Sequence, residues 1–150
     1  MARICVIGSG NWGKNHVRTL HELGHLAGLV DVDEDRLAEF KAQYDYIETH
    51  LNVDQAIAAG FDGFTVATPA PTHVPIAKKI MLAGFPVMVE KPLALSAQDA
   101  RELQAISKET GQQLMVGHLM LFHPAIVKIK ELLDAGSLGK IQYIYSNRIN

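Results

Sequence analysis

The feature that most constrains the fold is a glycine-spaced turn near the start of the chain. An apolar run over 3–7 leads into Gly8-Ser9-Gly10-Asn11-Trp12-Gly13, and a helical pattern follows. In this G-x-G-x-x-G spacing the first glycine makes a tight turn, the second lets the backbone approach a pyrophosphate, and the third lets helix pack on strand. The free amides at the helix start can bind that pyrophosphate. Because Asp31 ends the next apolar run, we predict a dinucleotide-binding site rather than an ordinary glycine-rich turn.

Strand and helix signals then alternate along the chain, which predicts an α/β fold with a doubly wound parallel sheet, the Rossmann architecture. The apolar runs are continuous rather than alternating, as expected of strands covered on both faces. Helices are predicted to begin at Asp33, Thr72 and Ser96, and Gly84 and Gly111 end the last two. The predicted strands are 3–7, 26–31, 46–49, 62–68, 86–90 and 113–117.

The pattern changes after the sixth strand. His123-Pro124 introduces an amphipathic helix that Gly136 and Gly139 end, and a β-prone segment follows over 141–149. We therefore assign 1–122 to the Rossmann domain and 123–150 to the first helix and strand of a second, α+β domain. A strand with free edges at a chain end is one that complete proteins normally cover. We expect these 150 residues to be the front of a longer protein.

Composition excludes several classes of protein. The chain is 48% hydrophobic with a net charge of −2, which favours a single globular core and gives no basic patch for nucleic acid or an anionic membrane. Cys5 is the only cysteine, so it is predicted to be a core residue, and no apolar run is long enough to span a membrane. We expect a cytoplasmic protein.

No metal site is expected, because the spacing of His16, His21 and His25 does not put them on one helix face, and they are expected to face solvent.

Asp31 is the candidate for recognising the ribose of the adenosine. Its carboxylate can accept both ribose hydroxyls, and its charge would repel the 2′-phosphate of NADP, so NAD is the predicted cofactor. Arg36, one turn further on, leaves some tolerance of NADP open. The alternative is that Asp31 is only the first residue of a polar turn.

Three later polar groups follow predicted strands, at the sheet edge where ligands bind. Thr68-Pro69-Ala70-Pro71-Thr72-His73 offers hydrogen bonds beside the nicotinamide half, or is simply a proline-rich turn. Glu90-Lys91-Pro92 places the ammonium group of Lys91 at the end of a buried strand. The alternative is that Lys91 is an ordinary lysine on a surface loop. Such a tight turn is also compatible with a cis peptide bond before Pro92. His118 follows the sixth strand and either contacts ligand or is a buried histidine bonded to backbone.

Taken together, these motifs resemble the glucose–fructose oxidoreductase, inositol dehydrogenase and MocA (Gfo/Idh/MocA) family. The resemblance extends from the turn at 8–13 through Thr-Pro-x-x-x-His at 68–73 and Glu-Lys-Pro at 90–92 to Leu138-Gly139-Lys140-Ile141. It implies NAD or NADP bound by a Rossmann half, and a second half on a large open sheet, through which the full-length protein is expected to form a homo-oligomer. The segments 117–124 and 146–150 look most like bacterial dehydrogenases of the 3-hydroxyl of UDP-N-acetylated sugars, with a free sugar or inositol as alternative substrates. Leu119-Met120-Leu121-Phe122 stands where many relatives have Asn-Arg-Arg-Phe, which weakens the case for an arginine-lined pocket.

The resemblance also implies site residues. Lys91 is expected to contact substrate and nicotinamide, as base or as electrostatic clamp for the developing alkoxide, while a histidine beyond residue 150 is the usual acid–base candidate. Asn147 and Arg148 are further substrate-binding candidates. Without the second half, residues 1–150 are expected to be inactive. The expected cofactor-binding residues are Gly8, Gly10, Asn11, Trp12, Gly13, Asp31, Val32, Thr68, Pro69, Thr72, His73, Glu90, Lys91 and His118.

Two other classes remain in view. A non-catalytic NAD-binding regulator of the same fold would keep the glycines and Asp31 but would not need Lys91. A methyltransferase that uses S-adenosylmethionine shares a glycine-rich first turn but would not carry the later Thr-Pro and Glu-Lys-Pro motifs.

Overall fold

A computed structural model describes residues 1–147. The chain divides into two compact units, one over Met1–Gly117 and one from His118 onward. The strands of the first unit are β1 (Ile4–Ile7), β2 (Leu26–Val30), β3 (Glu48–His50), β4 (Gly63–Val66), β5 (Val87–Val89) and β6 (Leu114–Val116). Its helices are α1 (Gly13–Glu22), α2 (Glu34–Gln43), α3 (Val53–Ala58), α4 (His73–Leu82) and α5 (Ala97–Thr110).

All six strands are parallel, in the order β3-β2-β1-β4-β5-β6. β1 lies at the centre, with Val6 opposite Leu29 of β2 and Thr65 of β4. The chain runs outward from β1 to one edge and returns to β4, so the switch in strand order falls between β1 and β4, which is where doubly wound sheets bind ligands. The predicted fold class is confirmed.

The core lies on both faces of this sheet. Cys5 and Ile7 belong to one apolar cluster with residues of α3, α4 and α5, while Val6 belongs to another with residues of α1 and α2. Because successive strand residues point to opposite faces, the two clusters occupy opposite faces. Cys5 is fully buried, as predicted.

The helix ends agree in part with the sequence signals. Asp33 accepts a hydrogen bond from the Arg36 amide, and Ser96 accepts one from Asp99, so both cap as expected. Thr72 precedes α4, but its hydroxyl does not cap the helix. It donates to the Pro69 carbonyl and accepts from the Thr68 hydroxyl, both at 2.7 Å. Helix α3, with Asn52 as its cap, was not predicted, since six residues are too few to show a helical period.

The second unit contains a short 3₁₀ turn over Leu119–Phe122 and helix α6 (Pro124–Asp134), whose first amides are capped by His123. The first unit ends at Gly117, whose amide donates to the Val89 carbonyl of β5. The domain boundary at 122 stays a prediction. The predicted strand over 141–149 is wrong across 141–147, which has no regular secondary structure, while 148 and 149 lie outside the described residues. A β-prone sequence becomes a strand only when a neighbouring strand supplies its hydrogen bonds.

Candidate functional site

The candidate site is the carboxyl edge of the sheet, and the hydrogen-bond ladder itself positions it. The ladder continues one residue beyond β1, β2 and β5, so the first residue of the loop after each of these strands is held by a neighbouring strand or its end. Gly8 donates its amide to Val30, Asp31 to His50, and Glu90 to Val66. The predicted site residues that follow β1, β2 and β5 are therefore fixed by strand pairing at one edge.

The glycine turn has the close approach that its spacing implies. A Cβ atom on Gly13 would lie 1.8 Å from the Gly8 carbonyl oxygen, so only glycine permits this packing of α1 on β1. Gly8 has φ +91°, a left-handed backbone that favours glycine, and its own Cβ would meet the methyl group of Thr68 at 2.9 Å. A Cβ on Gly10 would meet nothing within 4 Å, so the backbone there is open to a ligand.

Asp31 is buried, and its carboxylate is held in one orientation. One oxygen, Oδ2, accepts from both the amide (2.8 Å) and the hydroxyl (2.5 Å) of Ser9, and Oδ1 accepts from the Asp33 amide at 3.1 Å. Burial alone would raise the pKa of Asp31, but the Ser9 bonds, the Asp33 amide and the charge of Arg36 outweigh it and lower that pKa below its ordinary value. The carboxylate is therefore charged and pre-oriented as an acceptor.

An open groove of about 460 Å³ adjoins this carboxylate and runs along the first turn of α1. It carries two cationic side chains and one aromatic ring. Arg36 forms an ion pair with Asp33 (Nε to Oδ2, 3.2 Å), and its Nη1 lies 3.8 Å from Asp31 Oδ2. Two carboxylates therefore already contact the side chain that was considered as a possible partner for the 2′-phosphate of NADP. The lining residues are Ser9, Gly10, Asn11, Lys14, Arg36, Glu39 and Phe40.

The residues present fit a dinucleotide. An ionised acceptor for ribose hydroxyls, an open glycine backbone and a helix N-terminus lie at one edge of the sheet, as an adenosine and a pyrophosphate require. Asn11, Trp12 and Val32 are exposed beside them.

Across the switch point, the loop after β4 faces the turn after β5, and His73 joins them. Its ring is 1% exposed, with Nδ1 2.8 Å from the Pro92 carbonyl oxygen and Nε2 2.8 Å from that of Thr68. The His73 ring is thus buried with each nitrogen beside a carbonyl oxygen, and its contact with the cofactor stays a prediction. Thr68 is half-buried, while Pro69 and Thr72 are exposed.

Glu90 and Lys91 differ sharply in environment. Glu90 is buried, whereas Lys91 is exposed, and the Lys91–Pro92 peptide bond is cis, as the sequence analysis envisaged. Glu90 contacts the backbone amide of Lys91 at 3.1 Å rather than its ammonium group. Lys91 is thus presented at the carboxyl edge on a turn that Glu90 braces.

The remaining candidates lie in the second unit. His118 and Asn147 are exposed there, and Arg148 lies outside the described residues. Among residues 1–147 no group of three or more His, Cys, Asp or Glu side chains is arranged to hold a metal ion. No helix in the described part of the chain is long and apolar enough to cross a membrane.

Sequence reasoning missed two residues of this edge. Ser9 was given no role, although it is a buried polar residue, and buried polar groups are normally hydrogen-bonded. His16 was expected to face solvent, but its ring is 2.9 Å from the Glu90 carboxylate, 74 residues away in sequence, and only 16% exposed.

Fold and site together define a dinucleotide-binding domain of the doubly wound class. Residues 2–118 match the model of the oxidoreductase family with an NAD-binding Rossmann fold, Gfo/Idh/MocA. The chain belongs to the Gfo/Idh/MocA family, which confirms the resemblance seen in the sequence and NAD as the cofactor.

Individual relatives differ in what they act on. The chain is 38% identical to inositol 2-dehydrogenase 1 of Saccharopolyspora erythraea, over 91% of this chain and 42% of that protein. It is 31% identical to UDP-N-acetylglucosamine 3-dehydrogenase of Acidithiobacillus ferrooxidans, over 98% of this chain and 45% of that protein. The solved structure of GenD2 from gentamicin A biosynthesis, in complex with NAD, superposes with a TM-score of 0.83 at 33% identity, over 91% of this chain and 40% of that one. The chain thus spans less than half the length of these relatives.

Proposed function

We propose that this chain is the cofactor-binding part of an NAD-dependent dehydrogenase that oxidises a secondary hydroxyl group of a sugar. The observation that carries the proposal is the placement of Asp31 and Lys91 at one edge of the sheet, on opposite sides of the switch point between β1 and β4. A site for the adenosine end of the cofactor and a reactive cation for the other end are thereby presented together. A non-catalytic regulator would need only the first of these.

NAD, when bound, would supply the acceptor for a hydride from the carbinol carbon of the substrate. Asp31 accepts the ribose hydroxyls, and the Gly10 backbone with the first amides of α1 carries the pyrophosphate. Lys91 acts on the substrate oxygen in one of two ways. It either takes the hydroxyl proton itself, or it remains charged and stabilises the developing alkoxide while a histidine outside residues 1–150 takes that proton. Both roles are part of the proposal, as is the assignment of the remainder of the substrate site to residues outside this chain.

For the substrate, we propose the 3-hydroxyl of a UDP-N-acetylated sugar. The relative from Acidithiobacillus ferrooxidans and the sequence of 117–124 and 146–150 support it. A cyclic polyol is the second candidate, favoured by the higher identity to the inositol dehydrogenase. We further propose a cytoplasmic homo-oligomer without nucleic-acid or membrane partners.

The test has two stages. Calorimetry of residues 1–150 with NAD and with NADP is expected to show tighter binding of NAD; tighter binding of NADP would contradict the cofactor assignment. The complete protein that contains these residues is then assayed for NADH formation with UDP-N-acetylglucosamine, myo-inositol and free glucose. NADH formed from UDP-N-acetylglucosamine supports the substrate proposal, whereas turnover of inositol alone replaces it with the second candidate. Residues 1–150 alone, as a matched control, are expected to bind NAD without turnover.

A further inference from the structure

A buried pair links the two halves of the candidate site. His16, on the second turn of α1, and Glu90, directly after β5, meet with Nε2 2.9 Å from Oε1. Their side chains are only 16% and 11% exposed. A contact of this kind, between elements far apart in the sequence, fixes the distance between the pyrophosphate-binding helix and the turn that carries Lys91.

The Glu90 carboxylate is enclosed on its other sides as well. Its second oxygen, Oε2, accepts a hydrogen bond from the Lys91 backbone amide at 3.1 Å. A Cβ on Gly117 would lie 3.0 Å from Oε1, so glycine at 117 leaves just the space that the carboxylate occupies. Contacts with His16, Lys91 and Gly117 therefore leave this carboxylate little freedom to move.

We propose that His16 is a positioning residue for Lys91. Through the Glu90 carboxylate, His16 links the backbone of Lys91 to α1, one helical turn beyond Gly13. Binding of a pyrophosphate at the start of α1 therefore changes the position of the Lys91 backbone. The inference rests on the proposed function and assigns a role to a histidine outside the known glycine and Glu-Lys-Pro motifs. A bond that only stabilised the fold would affect the unfolding free energy but not the response of Lys91 to nucleotide.

The geometry indicates which replacements preserve the bond. His16→Leu removes the ring nitrogen that contacts Glu90 and keeps an apolar body on α1. His16→Gln retains an amide donor on a side chain of similar reach, so it is expected to restore the contact. His21→Gln is the matched control, because His21 lies on the same helix but bonds the Tyr46 hydroxyl at 2.7 Å on the exposed surface.

The test is an NMR titration of the ¹⁵N-labelled chain with ADP, which carries the adenosine and pyrophosphate but lacks the nicotinamide that could touch Lys91 directly. The Gly10 amide reports binding at the pyrophosphate site, and the Lys91 amide reports any change at the turn after β5. In the wild type and in His21→Gln, ADP is expected to shift both amides. In His16→Leu the Gly10 shift remains and the Lys91 shift is lost, and in His16→Gln the Lys91 shift returns. Thermal unfolding of each variant is measured in parallel.

Two results would contradict the positioning role of His16 and leave the proposed function intact. The first is an unchanged Lys91 shift in His16→Leu, even with a lower melting temperature. The second is a wild-type chain in which ADP shifts the Gly10 amide but not the Lys91 amide. If neither ADP nor NAD shifts Gly10 in the wild type, the proposed function fails and the inference falls with it. Should His16→Leu not fold, His16→Asn, whose side chain is too short to reach Glu90, makes the same comparison.

Discussion

Ser9 donates both its backbone amide and its hydroxyl to a single carboxylate oxygen of Asp31, at 2.8 and 2.5 Å. Ser9, which lies between Gly8 and Gly10, thereby sets the orientation of the Asp31 side chain directly after β2. The carboxylate is thereby fixed as an acceptor, and an acceptor that is already fixed does not have to be ordered when a ligand binds.

Replacing Ser9 by alanine is expected to destabilise the fold. The variant leaves the buried Asp31 carboxylate with one donor fewer, and a hydrogen bond to a charged group contributes about 1.5–3 kcal/mol. Urea unfolding at neutral pH measures the loss, and alanine at the exposed Ser137 is the control. An unfolding free energy equal to that of the wild type would show that the hydroxyl bond contributes nothing.

Replacing Asp31 by serine is expected to narrow the preference for NAD over NADP. The variant loses the charge that repels a 2′-phosphate and the charged acceptor of the ribose hydroxyls, so NAD affinity should fall by about tenfold or more. Calorimetry with both cofactors measures the ratio. Asp35→Ser removes the same charge from the exposed first turn of α2 and should leave the ratio unchanged; an equal effect there would point to net charge alone.

Asp31 should also make the fold sensitive to acid. Its pKa is lower in the folded chain than the ordinary value, so its contribution to stability is complete above the unfolded pKa of about 3.9 and is lost as the pH falls through the folded pKa. The unfolding free energy, followed by urea denaturation from pH 6 downward, should drop below about pH 4. Asp31→Asn should flatten that drop, and a slope identical to wild type would contradict the assignment.

His73→Leu is expected to destabilise the chain more than a typical surface substitution. Both ring nitrogens lie 2.8 Å from carbonyl oxygens, of Thr68 and Pro92, and a tautomer with a single N–H donates to one of them. The variant therefore leaves one part-buried carbonyl without its donor, at a cost of about 1–3 kcal/mol. Thermal or urea unfolding gives the magnitude, with His25→Leu as the control at a more exposed position. Unchanged stability together with lost NAD affinity would instead restore His73 as a direct cofactor ligand.

Lys91→Met in the complete protein is expected to reduce turnover by about 10²–10⁴-fold and leave NAD affinity within a few-fold, because the adenosine and pyrophosphate are bound elsewhere. Lys91→Arg separates the two roles: arginine does not deprotonate, so it should be as inactive as methionine if Lys91 is a base and partly active if it is a clamp. Steady-state kinetics and calorimetry are the measurements. Near-normal turnover in Lys91→Met would return Lys91 to an ordinary surface lysine.

The sequence predicted those parts of the fold that depend on local spacing. Gly8 and Gly13 were identified because their spacing implies a close approach, and the structure has it. Asp33 and Ser96 were identified as caps because a cap and its partner lie three residues apart. Helix α3 was missed since six residues carry too little periodicity.

Long-range partners account for what sequence reasoning missed at the site. His16 was compared only with neighbouring histidines, whereas its partner Glu90 follows β5, 74 residues further along the chain. His73 carries the same polar signal whether it faces a ligand or two carbonyl oxygens, and only the packing decides between them. The β-prone segment shows the converse: its composition favours a strand, but residues 141–147 form no regular secondary structure and pair with no strand of the described part of the chain.

The central place of β1 has a consequence for how the chain folds during synthesis. Of the described strands β1 is made first, yet it is paired on both sides, with β2 on one and β4 on the other. Its second edge therefore stays open until β4 leaves the ribosome, which takes several seconds at about 5–20 residues per second. Conditions that slow translation between β2 and β4 should lengthen the period in which this apolar strand is exposed to aggregation and to chaperones.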